Sequence, residues 1–216
     1  MPETTAHARF ETALRAMPLI AIVRGIKPVE AEPIAVALHA AGFRIVEVPL
    51  NSPDPFDSIA RMRRALPAEA LVGAGTVLRA GDVERVRAAG GELVVMPHGD
   101  PAVIRAAKAA GLVCVPGAMT PTEAFAALDA GADALKLFPA ELISPRIVKA
   151  LRVVLPKAVH LFAVGGVTAD TMVEYVRAGA TGFGLGSSLY SPGASAELVA
   201  AHARRFAETW RAIATG

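Results

Sequence analysis

The sequence holds a single cysteine, Cys114, so no internal disulfide can form. A reducing compartment is the expected setting for such a chain. Aromatic residues are scarce at 5%, against 53% hydrophobic residues in all, so the core must be built from Ala, Val, Leu and Ile. Charge of one sign is scarce too. The 22 basic and 20 acidic residues leave a net +2, and no basic block is longer than Arg63-Arg64 or Arg204-Arg205. That balance gives no footing for nucleic acid, though it suits small anionic substrates. No apolar run approaches the roughly 18 residues of a membrane span. The opening residues, MPETTAHARF, lack the apolar core of a signal peptide. A cytoplasmic location, with no membrane and no nucleic-acid partner, is the expectation. The histidines (His7, His39, His98, His160 and His202) show no HxxxH spacing, so no metal is expected. The first apolar run is followed by RGIKPVE rather than GxGxxG, and no GxSxG occurs. Dinucleotide chemistry and serine hydrolysis therefore have no motif to rest on.

What the sequence does contain is repetition. Eight short apolar runs recur: Leu19–Arg24, Ile45–Leu50, Leu71–Val77, Leu93–Pro97, Val113–Ala118, Ala134–Pro139, Leu161–Gly166 and Gly182–Ser187. Their starts lie about 20 to 27 residues apart, room for a strand, a helix and two short loops. The segments between them carry apolar residues at helical spacing, as at Ile34, Leu38 and Ala41. Five of these helices close with AAG, DAG or RAG, ending at Gly42, Gly90, Gly111, Gly131 and Gly179. Glycine there suits a left-handed cap. Two others stop near Pro67 and Pro156, since proline cannot continue a helix. Thr120-Pro121-Thr122-Glu123 and Thr168-Ala169-Asp170 look like helix starts. Residues 1–17 read as an extra leading helix under the barrel, and Ala196–Ala214 as the last helix. Eight near-equal units over 1–216 predict one domain, a single (β/α)8 TIM barrel with an extra N-terminal helix. An open doubly wound sheet is the alternative.

In such a barrel the chemistry sits at the carboxyl ends of the strands. Polar residues at those ends are therefore the informative ones. Lys136 lies in ALKLFP between two leucines. Burial disfavours its ammonium, and a neutral amine can attack a ketone to give a Schiff base. Equally, a strand lysine can be paired with a carboxylate or can snorkel outward. Glu47, in VEVPL, is the second charge inside a strand. It can be the plain ion-pair partner of Lys136, or the group that moves protons for it. Arg24 closes the first run, where its fork could grip a carboxylate; a solvent-facing loop arginine is the bland reading. Thr76 could supply a hydroxyl to the same substrate end, or be an ordinary cap or turn residue. The loops GGVTAD at 165–170 and GLGSS at 184–188 follow the last two runs. Free backbone N–H groups there could cradle an anion, the usual phosphate position in barrels. Alternatively, glycine merely permits tight loops.

The motifs LIAIVRGI (19–26), AGFRIVEVPLNSP (41–53), GAGTVL (73–78), LKLFPAE (135–141), FAVGGVT (162–168) and GLGSSLY (184–190) together resemble the bacterial 2-keto-3-deoxy-6-phosphogluconate and 6-phosphogalactonate aldolases. The resemblance implies a homotrimeric class I aldolase without cofactor or metal. Its substrate would be a phosphorylated 2-keto-3-deoxy sugar acid, split into pyruvate and a triose phosphate. It also implies roles. Lys136 would be the Schiff-base lysine and Glu47 the proton-transfer group. Arg24 and Thr76 would hold the keto-acid end, and Gly166, Gly186 and Ser187 the phosphate. Gluconate-type members tend to read EVTLRTP where this chain has EVPLNSP, so an arginine is missing at Asn51 and Arg24 must take its place. They also tend to have threonine before the glycine pair, where this chain has Val164 ahead of Gly165. Both features resemble the galactonate type, whose substrate differs in configuration at C4. His98 is given no role. Three alternatives stay open: the phosphogluconate epimer as main substrate, a phosphate-binding barrel isomerase or synthase with Glu47 as base, and a phosphosugar-binding protein without turnover.

Overall fold

A computed structural model describes residues 5–215. The apolar runs become parallel strands β1 (Leu19–Ile22), β2 (Ile45–Pro49), β3 (Leu71–Gly75) and β4 (Leu93–Val95). The fifth run is split into β5 (Val113–Val115) and β6 (Gly117–Ala118), and β7 (Ala134–Leu137), β8 (His160–Val164) and β9 (Gly182–Leu185) follow. The split falls at Pro116, which has no N–H to give to a ladder. The sheet order is β5-β4-β3-β2-β1-β9-β8-β7-β6. Since β5 pairs with β4 while β6 pairs with β7, one short stretch of chain joins both ends of that order. The sheet is therefore a closed barrel of eight strand positions, and an open doubly wound sheet is excluded.

Helices alternate with the strands: α1 (Ala6–Ala16), α2 (Pro28–Ala40), α3 (Pro55–Ala65), α4 (Ala80–Ala88), α5 (Pro101–Ala109), α6 (Pro121–Asp129), α7 (Pro145–Val154), α8 (Met172–Arg177) and α9 (Ala196–Thr215). The first four residues of the expected leading helix lie outside the described residues. All five glycines at the helix ends have positive φ, from 74° to 109°. At α6 the Thr120 hydroxyl accepts from the Glu123 N–H at 3.3 Å, and the Glu123 carboxylate accepts from the Thr120 N–H at 2.8 Å. That reciprocal pair fixes the helix start. The expected start at Thr168–Asp170 is corrected. There the Thr171 hydroxyl accepts from the Thr168 N–H at 3.1 Å, closing a turn, and α8 begins only at Met172.

Side chains alternate across each strand, which separates two cores. Leu19, Ala21, Val46, Val48, Leu135 and Leu137 face outward into the layer shared with the helices. Ile20, Ile22, Ile45, Leu71, Leu93, Val113, Ala134 and Phe162 fill the barrel interior. The lower end is plugged by Phe10, Ala13 and Leu14 of α1, with the Phe10 ring 6.4 Å from that of Phe162. Glu47 stands two residues after inward Ile45, and Lys136 two after inward Ala134. The period of two thus turns both charges into the lumen, above an apolar floor.

Candidate active site

The strands end sooner than the apolar runs. Arg24, Thr76, Gly165-Gly166 and Gly186-Ser187 were expected as strand ends; all lie in loops just past the last ladder residues. The backbone there leaves extended geometry, with φ of +80° at Gly25, +54° at Thr76 and +111° at Gly165. These turns bend the chain over the barrel mouth. For Thr76, a β-branched residue, a left-handed conformation is strained.

Lys136 and Glu47 remain within strands and are almost fully covered, at 5% and 1% exposure. They make no ion pair of 4.0 Å or less with each other. The Lys136 Nζ lies 4.5 Å from the centre of the Phe138 ring. Burial lowers the Lys136 pKa; Glu47 opposes that shift and Arg24 adds to it. Burial pushes the Glu47 carboxyl up to about 7, against the pull of Lys136 and Arg24. Desolvation thus wins over attraction for both groups, favouring a neutral amine and a protonated carboxyl. The Glu47 Oε2 is buried without a hydrogen-bond partner. Such an oxygen is costly for folding alone and well placed to exchange a proton.

Glycines make room for the side chains that fill the lumen. A Cβ built on Gly75 would overlap the Glu47 carboxylate, and one on Gly182 would press on the Phe162 ring. Gly75→Ala is therefore expected to lower stability by about 1–3 kcal/mol, the usual cost of overpacking. It should also cut kcat/KM at least about tenfold by displacing the carboxylate. Thermal melts and steady-state kinetics check this, and Glu47→Asp in the same chain should restore part of the lost stability.

A cavity of about 550 Å³ opens above Lys136. That volume suits a small-molecule site. Lys136, Arg24, Val164, Gly165, Gly166, Gly186 and Ser187 all line it. Thr76 is outside the lining but joins through Arg24, whose Nη2 points at its Oγ1 from 3.5 Å. Glu47 lies beneath. His98 is exposed and does not line the cavity. The two glycine loops differ in character. Gly165 and Gly166 have positive φ, and Cβ atoms there would meet the Glu141 side chain, so backbone shape alone accounts for them. Gly186 has open space around its Cβ position. The backbone N–H groups of Gly166, Ser187 and Ser188 donate to no other group among the described residues.

Sequence reasoning missed Phe138, Glu141, Thr168 and Tyr190, which also line the cavity. Phe138 and Glu141 stand inside the LKLFPAE motif and were legible as part of it. Thr168 and Tyr190 likewise close the FAVGGVT and GLGSSLY motifs, but nothing else in the local sequence marks them as facing the mouth.

A closed barrel with an inward amine and carboxylate beneath one cavity defines an α/β-barrel enzyme. The comparisons with known proteins then give its kind. The family model described as KDPG and KHG aldolase matches residues 10–201. The chain belongs to this family and is a carbon–carbon lyase of the aldolase type. It is 52% identical over 179 residues to a probable 2-dehydro-3-deoxy-6-phosphogalactonate aldolase of Rhizobium meliloti, covering 83% of this chain and 84% of that one. It is 46% identical over 195 residues to the 2-dehydro-3-deoxy-6-phosphogalactonate aldolase of Escherichia coli, covering 90% and 95%. A solved native KDPGal structure superposes with a TM-score of 0.91 at 45% identity, covering 93% of this chain and 97% of that one.

Proposed function

We propose that the protein is a class I aldolase that cleaves 2-dehydro-3-deoxy-6-phospho-D-galactonate to pyruvate and D-glyceraldehyde 3-phosphate. The observation that carries this reading is the desolvated Lys136 amine opening into the cavity, with an unpaired Glu47 oxygen below. The neutral amine adds to the C2 ketone, and the protonated Glu47 gives its proton to the departing hydroxyl, so that loss of water leaves an iminium beside a carboxylate. Glu47, through one water, takes the C4 hydroxyl proton. The C3–C4 bond then breaks, its electron pair moves toward the iminium, and the triose phosphate leaves as an aldehyde. Glu47 returns the proton to C3 of the enamine, and hydrolysis frees pyruvate and the amine. Arg24 and Thr76 hold the keto-acid carboxylate. The N–H groups around Gly166, Gly186 and Ser187 receive the phosphate, as backbone donors do elsewhere.

Val164 sits at the end of β8 with 5% exposure and lines the cavity between the lysine and the glycine loops. A valine there offers no hydrogen bond to a C4 hydroxyl, which supports the galactonate epimer together with the identities above. The kcat/KM for the two C4 epimers tests this, with the galactonate form preferred. Val164→Thr, similar in shape but with a hydroxyl, is expected to shift the ratio toward the gluconate epimer by about tenfold. A parent enzyme that prefers the gluconate form overturns the substrate assignment.

A cytoplasmic homotrimer serving galactose catabolism completes the proposal. Among the described residues no helix is long and apolar enough to cross a membrane. Leu142 at 63% exposure, Val154 at 53% and Ile147 at 40% stand out on α7 and the loop before it. Apolar groups left this open support a subunit contact.

A further inference from the structure

Arg24 is exposed at the cavity edge, and a free arginine there would sample many rotamers. Here it is tied down from the neighbouring loop. The Arg24 Nη1 donates to the Asn51 Oδ1 at 2.7 Å. The next residue is held as well: the Gly25 N–H donates to the Ser52 Oγ at 2.9 Å. Ser52 is buried, and its own N–H donates to the Pro49 carbonyl at 2.9 Å. On the other side Pro192 closes on Gly25, leaving no room for a Cβ there. Two consecutive residues after β2 thus grip two consecutive residues after β1, one by side chain and one by backbone. Asn51 is uncharged, so it orients the guanidinium without neutralising it. Two donor directions of the Arg24 fork are engaged, by Asn51 and Thr76, and three N–H groups remain for a ligand.

We infer that Asn51 and Ser52 are positioning residues that pre-set Arg24 for the carboxylate of the keto acid. The inference rests on the reading that Arg24 binds that carboxylate. An arginine ordered before the ligand arrives loses less entropy on binding, so the clamp acts on affinity rather than on the bond-breaking step. It also gives Asn51 a reason to be there: in the absence of a charge of its own, it serves the arginine that follows the preceding strand.

The test uses the full enzyme in the condensation direction, with pyruvate varied against saturating D-glyceraldehyde 3-phosphate. Asn51→Ala is expected to raise the KM for pyruvate about tenfold with kcat little changed, the size of one lost charge-assisted hydrogen bond. Ser52→Ala should act in the same direction. Arg24→Met should raise KM more, and Arg24→Met with Asn51→Ala should be no worse than Arg24→Met alone, because the clamp then has nothing to hold. Borohydride trapping with acetone, a ketone without a carboxylate, should not distinguish Asn51→Ala from the parent. A KM unchanged by Asn51→Ala, while Arg24→Met raises it, overturns the clamp and leaves the carboxylate reading standing. A pyruvate KM unchanged by Arg24→Met overturns the carboxylate reading and the clamp with it. An equal loss with pyruvate and acetone means that Asn51 merely supports the fold, and also overturns the inference.

Discussion

Replacing Lys136 with methionine is expected to leave a folded barrel with no measurable aldol cleavage. Methionine fills nearly the same volume but carries no amine, so no iminium can form. Removing a covalent nucleophile typically lowers kcat by about 10⁴-fold or more. The same change should make the protein more stable. Lys136 is 5% exposed and pays its desolvation without an ion pair at contact distance. An apolar side chain of similar shape removes that penalty, by about 1–3 kcal/mol. The melt is best run near about pH 6, below the Glu47 pKa, so that the carboxyl left behind is mostly protonated. A rise of several degrees is expected, since about 1 kcal/mol corresponds to roughly 2–4 °C for a chain of this size. Activity lost with stability gained is the signature of a functional charge. Activity and stability lost together would instead mark Lys136 as a structural member of the barrel.

Glu47→Gln is expected to lower kcat by about 10²–10⁴-fold, the range for removing a general acid–base. The pH behaviour follows from the direction of its pKa. The carboxyl titrates near 4.5 when solvated and near 7 in the folded barrel. The unfolded chain therefore gives up this proton first as pH rises. The stability tied to the protonated carboxyl is complete below 4.5 and is lost as pH climbs through about 7. Glutamine does not ionise and escapes this loss. The variant should be about as stable as the parent at acid pH and on the order of 3 kcal/mol more stable at about pH 8. Thermal melts at several pH values give the comparison. The kcat/KM profile of the parent should bend near pH 7, and the bend should disappear in Glu47→Gln. A bend that survives the substitution assigns the proton transfer to another group.

Much of the barrel is visible in the sequence because each unit repeats the same physical necessities. Buried parallel strands require apolar runs, and the helix ends require a residue at positive φ, met by Gly42, Gly90, Gly111, Gly131 and Gly179. Lys136 and Glu47 are conspicuous because each is a charge inside an otherwise apolar strand run; that both face the lumen follows only once Ile45 and Ala134 are seen to point inward. Less visible is whatever depends on neighbours distant in sequence. A proline alone does not tell whether its run will split: Pro116 falls between β5 and β6, whereas Pro97 in the preceding run sits past its ladder without breaking a strand. Gly75 reads as one more glycine until the Glu47 carboxylate is seen lying over it. Gly165-Gly166 and Gly186 look alike as letters. Yet the first pair is required by backbone shape and the third by nothing in the chain. The hold of Asn51 on Arg24 joins residues 27 apart and has no local signature.

One measurement bears on the central claim most directly. The protein is incubated with pyruvate, treated with borohydride, digested and mapped by mass spectrometry. The account predicts one reduced pyruvyl group per chain, on Lys136 and nowhere else, with none in Lys136→Met. No adduct on an enzyme that is actively cleaving substrate, or an adduct on any other lysine, would contradict it.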